Sequence, residues 1–218
     1  METIKLYNFD HYLRQFEAKV LVVDGQKVIL DRTLFYPESG GQTGDTGVIG
    51  GVKVTNTKIE EGLIVHHLEK TPSIKAGDSV LGEIDWERRY RIMKLHTAAH
   101  IMEHFLWLRL GKIERKGSLV DEGKDRADYA YEGALRQEAL KTVEEDTNRF
   151  LSEGHEVLIA LDSDRLWIRH WRCGPVEMLC AGTHVKNTSE VGRIRLKRKN
   201  PGRGTERVET YLIEEYQP

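Results

Sequence analysis

The hydrophobic pattern changes its period once, near Asp85, and that change constrains this chain more than any other feature of its sequence. Before it, residues 17–85 hold short apolar or alternating runs broken by turn signals, and no helical spacing persists. Runs 18–23 and 27–30 flank Asp24-Gly25, a hairpin pair, and runs 48–49, 52–57, 63–68 and 79–85 continue the spacing. Five or six short antiparallel strands predict a small barrel or curled sheet. After the change, Asp85 is placed to cap a helix in which Ile92, Leu95, Ala99, Met102 and Leu106 recur at intervals of three and four until Gly111. Residues 118–120 and 127–131 read as a strand pair around Gly123. A second helix is predicted over 133–152, closed by Gly154, with Leu135, Ala139, Val143, Phe150 and Leu151 as its core side. Strand-like runs follow at 155–161, 176–179, 191–197 and 207–213. The expected class is α+β: a small antiparallel β-barrel over 1–85 that carries a glycine-rich loop, then an α/β domain over 86–218 with an antiparallel sheet and packed helices.

Composition excludes several alternatives. Of 218 residues, 39% are hydrophobic and 31% charged, enough to bury a core and far from a disordered composition. No apolar run is long enough to span a membrane, and the charged first 20 residues lack the apolar stretch of a secretory signal, so a soluble cytoplasmic protein is expected. Thirty-three basic against 35 acidic side chains rule out coating nucleic acid by bulk charge, so any polyanion site must be local. Two local clusters stand out. Arg193, Arg195 and Lys197 alternate with Ile194 and Leu196 on one strand, extended by Arg198, Lys199, Arg203 and Arg207, while Arg88, Arg89, Arg91 and Lys94 gather before His96. Such a face is either solvated or built to meet phosphate.

Two cysteines cannot staple a disulfide scaffold, and a cysteine among histidines points to metal or catalysis. His96 and His100 stand at i and i+4 on the strongest predicted helix, about 5–6 Å apart at Cβ on one face. Cys180 and His184 form a second pair at the same interval, with Gly182 free to turn the chain between them. One thiolate with three imidazoles favours zinc over the oxygen-seeking magnesium or calcium. Four protein ligands would close a structural site, whereas a catalytic one keeps a position open, and both readings stand at this stage. The protease motif His-Glu-x-x-His fails, because Thr97 occupies the glutamate position. His66, His67, His104, His155 and His170 have no such company and are expected to be structural or surface residues. Cys173 leaves a disulfide with Cys180 as the minority reading.

Three segments together, 91–100 with its His96-Thr97-Ala98-Ala99-His100, the loop 39–47 with Gly40-Gly41-Gln42-Thr43-Gly44-Asp45, and 180–185 as Cys-Ala-Gly-Thr-His-Val, carry a family signature. The chain resembles the editing domain of alanyl-tRNA synthetase and the freestanding AlaX editing proteins, in their medium-length form, over roughly residues 34–212. A more distant similarity reaches the editing domain of threonyl-tRNA synthetase. Ala181-Gly182 departs from the two glycines usual in the synthetase. The resemblance implies a translation-factor-like β-barrel followed by an editing domain. It also implies a deacylase acting in trans on tRNA(Ala) mischarged with serine, glycine being a further substrate, with one Zn²⁺ on His96, His100, Cys180 and His184. It implies catalytic roles for Gln42 and Thr97, substrate binding by Gly40, Gly41, Thr43 and Asp45, and tRNA binding by Arg88, Arg91, Arg193, Arg195, Lys197 and Arg198. Monomer and homodimer are both compatible with it. The readings it competes with are a tRNA-binding module with a structural zinc and a zinc hydrolase of another ester.

Overall fold

The computed structural model describes residues 2–162, 168–202 and 204–213. Among the described residues the fold is mixed α/β, mostly sheet with two α-helices, and the chain divides into two compact units, Met1–Tyr90 and Arg91–Pro218.

In the first unit the strands are β1 (Ile4–Lys5), β2 (Gln15–Asp24), β3 (Lys27–Leu30), β4 (Arg32–Thr33), β5 (Gly47–Ile49), β6 (Val52–Glu60), β7 (Leu63–Leu68) and β8 (Ser79–Ile84). Six of them pair in a closed ring, β2-β3-β7-β6-β5-β8, with β8 bonded both to β5 and back to β2. Alternate residues of β2, Phe16, Ala18 and Val20, point inward and meet Val28, Leu30, Ile49, Val54 and Val80 in one apolar core. The short β1 and β4, which pair in parallel outside the ring, were not foreseen because two residues hold no period.

Helix α1 spans Trp86–Leu110. Asp85 caps it as expected, its carboxylate accepting from the Arg88 amide at 3.1 Å, and Gly111 ends it in the left-handed region at φ 79°. From Ile92 to Glu103 nearly every residue is buried, polar ones included.

The second unit holds β9 (Arg115–Val120), β10 (Asp125–Ala130), α2 (Gln137–Ser152), β11 (Leu158–Leu161), β12 (Arg169–Cys173), β13 (Val176–Cys180), β14 (Arg193–Gly202) and β15 (Thr205–Ile213). One antiparallel sheet runs β14-β15-β10-β9 and another β11-β12-β13. On the four-stranded sheet Val120 and Leu212 pack against Ile92 and Leu95 of α1. Helix α2 closes the open edge of β14: Asn148 bonds the amide and carbonyl of Ile194, and Glu144 accepts from the Leu196 amide at 2.6 Å.

Several predicted boundaries move. Helix α2 starts at Gln137, not 133, because Arg136 is extended and Gly133 has φ 138°; Leu140 fills the core where Ala139 was expected. Strand β14 starts at Arg193 because Asn187 and Glu190 form a reciprocal capping box around a 3₁₀ turn, Thr188–Glu190. Strand β12 has no counterpart in the sequence reading. Its inward positions are Arg169, Trp171 and Cys173, and an inward arginine hides the alternation.

His66 sits fully buried on β7, donating from Nδ1 to the Val28 carbonyl at 3.0 Å and accepting from the Thr33 hydroxyl at 2.9 Å. Burial holds its pKa down to about 4, against 6.5 when unfolded. The unfolded chain therefore binds the extra proton, so this contribution to stability is complete above pH 6.5 and is lost as the pH falls toward 4. Denaturant titrations between pH 4 and 7 are expected to show a shallower pH slope for His66→Gln than for the wild type. Identical slopes would contradict the assignment.

Candidate metal centre and glycine-rich loop

Four side chains converge in the second unit. His96 and His100 project from α1, Cys180 ends β13 and His184 lies in the turn beyond it, and their donor atoms all lie within 4.8 Å of one another. Cys180 Sγ is 3.6 Å from His96 Nε2 and 3.2 Å from His184 Nε2. A tetrahedral ion with sulfur at about 2.3 Å and nitrogen at about 2.0 Å has S···N edges of about 3.5 Å, so the cluster needs little adjustment to close around one. His100 Nε2 is buried and has no hydrogen-bond partner among the described residues. A buried orphan nitrogen costs about 1–3 kcal/mol, a cost that metal coordination removes. These residues fit a metal ion.

Their protonation suits the role. Burial, with Arg115 and Arg169 adding positive charge nearby, holds His96 down to about 3, and burial keeps His100 well below its usual value, so both imidazoles are neutral donors. Burial pushes the Cys180 thiol up, so the thiolate that a soft metal prefers is formed only when the metal displaces the proton.

A second layer fixes the ligands. Thr97 Oγ1 lies 3.2 Å from His184 Nδ1 and accepts from the Val185 amide, so Nε2 is the nitrogen turned toward the cluster. The hydroxyl expected to act in catalysis thus touches a candidate ligand. Arg169, 1% exposed, donates to the carbonyls of Ala181 and Gly182 and so pins the turn between Cys180 and His184. Trp171 packs its ring on His100 and His184, with centroids 5.0 and 5.6 Å away. Glu103, one turn beyond His100, is buried with Tyr129 at 3.2 Å and Arg115 at 3.3 Å. Sequence reasoning missed Arg169, Trp171 and Glu103, and for Glu103 its place three residues after His100 was an available signal. Cys173 pairs with Val176 while Cys180 pairs with Arg169, four residues or about 13 Å farther along the strands, so the two free thiols cannot form a disulfide.

The glycine-rich loop, in the first unit, is tied down by hydrogen bonds. Ser39 and Gln42 exchange both backbone hydrogen bonds, at 2.9 and 3.1 Å, across Gly40 and Gly41 at φ 56° and 81°, a tight turn that only residues tolerant of positive φ can make. A Cβ on Gly44 would stand 2.1 Å from the Thr57 carbonyl, so no other residue fits there. Gln42 is buried. Asp45, expected to bind substrate, anchors the loop: its carboxylate pairs with the buried Arg89 and accepts from the Tyr36 amide. Arg88, expected to meet tRNA, donates to the Gly44 carbonyl at 2.8 Å and to Thr43 at 3.3 Å. Of the basic group before His96, Arg88 and Arg89 thus brace the loop.

Of the remaining expected phosphate contacts, Arg91 donates to the Glu122 carbonyl at 3.1 Å. Arg198 points to the opposite face from Lys197 and is held by Glu206 through two bonds of 2.6 Å. Arg193 and Arg195 are exposed and carry no ion pair among the described residues, and Lys197 lies 4.8 Å above the Tyr211 ring. Arg203 lies outside the described residues.

Two segments of the chain, one in each unit, are similar in sequence to aminoacyl-tRNA synthetase families. Residues 5–88 match the family of class II (A) tRNA synthetases, and residues 172–209 match the threonyl and alanyl tRNA synthetase second additional domain. The chain belongs to the alanyl-tRNA editing proteins: it is 39% identical to the alanyl-tRNA editing protein AlaX-M of Pyrococcus horikoshii, over 96% of this chain and 98% of that one. It is also 38% identical to the alanine–tRNA ligase of Saccharolobus islandicus and 33% identical to that of Methanococcus aeolicus, spanning 25% of each ligase. No helix among the described residues is long and apolar enough to cross a membrane.

Two outcomes follow. If the cluster holds a metal, Thr97→Val is expected to weaken its affinity for added Zn²⁺ about 10- to 100-fold in competition with a chromophoric chelator; unchanged affinity would show that the Thr97–His184 contact does not orient His184. Asp45→Asn should lower unfolding free energy by about 3–5 kcal/mol, because it strands the Arg89 charge in the interior. Denaturant melts check this, and a loss below 1 kcal/mol would contradict it.

Proposed function

We propose that this protein, an aminoacyl-tRNA hydrolase by family, removes serine from tRNA(Ala) charged with it in error. On this reading it works in the cytoplasm and in trans, with one zinc ion held by His96, His100, Cys180 and His184. The observation that carries the reading is the buried three-histidine, one-cysteine cluster with its unpartnered His100 nitrogen, in a chain of the alanyl-tRNA editing family. Residues 1–85 are read as the family's translation-factor-like barrel and 86–218 as its editing domain.

The chemistry explains the residue types. A pocket for alanine rejects serine only weakly, by about 10², whereas a site that hydrogen-bonds the serine hydroxyl loses those bonds when alanine enters and discriminates by about 10⁴ to 10⁵. Gln42 is the proposed reader: its amide offers both donor and acceptor, on a turn held rigid by Asp45 and Arg89. Gly40 and Gly41 allow backbone to approach the aminoacyl group, with Thr43 beside them. Hydrolysis breaks the bond between the amino acid's carbonyl carbon and the ribose oxygen, an ester reactive enough that orientation supplies much of the acceleration. When bound, zinc would supply an acidified water or a positive charge against which the aminoacyl group is oriented. Thr97 and Arg169 keep the ligand turn in place during turnover. Arg193, Arg195 and Lys197 are the proposed phosphate contacts.

A closed set of four protein ligands favours a second reading, a tRNA-binding module with a structural zinc. One assay separates them. Purified protein is expected to deacylate Ser-tRNA(Ala), spare Ala-tRNA(Ala), stop on chelation and resume with zinc, with His100→Ala and Cys180→Ala inactive. Equal hydrolysis of both substrates would sink the role of Gln42. Binding of tRNA without turnover, with unfolding on chelation, would leave the second reading in place.

A further inference from the structure

The four-stranded sheet has two chemically different faces. One carries Ile194, Leu196, Val208, Val120 and Leu212, and α1 with its metal ligands packs there. Cross-strand register puts Arg193, Arg195, Lys197 and Lys199 of β14 on the other face, beside Arg207, Glu209 and Tyr211 of β15 and Arg126 and Asp128 of β10. Lys124 reaches the same face from the turn before β10. Seven cations thus face two carboxylates, in a chain whose net charge is −2.

The arrangement is built. Glu209, 1% exposed, lies at the centre of the patch and accepts from Lys124 at 2.6 Å and from the Tyr211 hydroxyl at 2.8 Å, with Lys199 at 3.4 Å. The ammonium groups of Lys197 and Lys124 lie 4.8 and 5.9 Å from the Tyr211 ring centre. Three lysines, mobile on most surfaces, are therefore gathered around one buried carboxylate and one ring. Arg193 and Arg195 carry no ion pair, and Arg126 Nε is buried without a hydrogen-bond partner, among the described residues.

Along β14 the cations recur at every second residue, about 6.8 Å apart. A row of charges matches a nucleic-acid backbone better than the plane of a lipid surface. Among the described residues, the exposed large apolar side chains also lie elsewhere: none is on β9, β10, β14 or β15. That absence argues against membrane insertion and against an apolar protein interface.

We propose that this outer sheet face is the platform for the sugar-phosphate backbone of the tRNA body, and that Glu209 is its positioning residue, gathering the lysines that meet phosphate. The proposal rests on the editing reading for the identity of the RNA. It adds the surface, which lies on the other side of the sheet from the ligand-bearing helix and so governs affinity for the whole tRNA rather than the chemistry at the ester.

The test uses the full chain loaded with zinc, with thermal melts confirming that each variant folds. Anisotropy titrations with uncharged tRNA(Ala) over a range of salt should show Arg195→Gln/Lys197→Gln binding about tenfold more weakly or worse, with a log–log salt slope shallower by about two. The ratio of kcat/KM on Ser-tRNA(Ala) to that on the seryl ester of adenosine should fall by about the same factor. Glu209→Gln removes a negative charge, so a bare charge patch would then bind tRNA more tightly; weaker binding is the result expected of a positioning residue. Wild-type affinity and slope in the double variant, an unchanged kcat/KM ratio, tighter binding by Glu209→Gln, or loss of binding to anionic vesicles but not to tRNA would each overturn the proposal. If the wild type hydrolyses neither ester, the editing reading fails while the titrations still decide the platform.

Discussion

A helix buried on nearly all sides has no solvent in which to leave its polar side chains, and α1 buries His96, Thr97, His100 and Glu103 within two turns. Each must be answered by another element. Thr97 is answered by His184 and the Val185 amide, His96 by Cys180, and Glu103 by Tyr129 and Arg115. Only His100 Nε2 is left among these, and it faces the one place where a thiol and two other imidazoles converge. The partners come from three separate elements, so satisfying one helix organises much of the second unit.

The parts legible in the sequence are those whose signal is local. Asp85 and Gly111 bound α1 because capping chemistry is written in single residues, and His96 and His100 share a direction because a four-residue interval on a helix fixes it. What sequence missed is polarity turned inward. Arg169 on β12 and Arg89 on α1 look like surface charges, yet each is about as buried as any leucine in the chain and holds backbone carbonyls. Arg198 sits one residue out of phase with Arg193, Arg195 and Lys197, and a period of two sends it to the other side of the sheet. That was readable from the spacing alone, had the alternation been applied past Lys197.

The same device recurs in both units: an arginine with almost no exposure fixes a turn that carries the residues of interest. Arg89 holds Asp45 and the Leu34 carbonyl around the glycine-rich loop, and Arg169 holds Ala181 and Gly182 beside Cys180. Guanidinium suits this work because its donors form a planar fork, so one side chain can satisfy several acceptors at once. Lysine, a point charge on a flexible stem, would hold at most part of either turn. Rigid loops are thus obtained where glycine, needed for close approach, would otherwise loosen the chain.

Helix α2 lies along β14 with Asn148 and Glu144 occupying the amides and carbonyl of Ile194 and Leu196. An edge strand is ordinarily where a foreign chain can add itself by backbone pairing, regardless of side chains. With that edge taken, the basic strand offers visitors its side chains alone. Sheet extension by a foreign strand is thereby closed off along Ile194–Leu196.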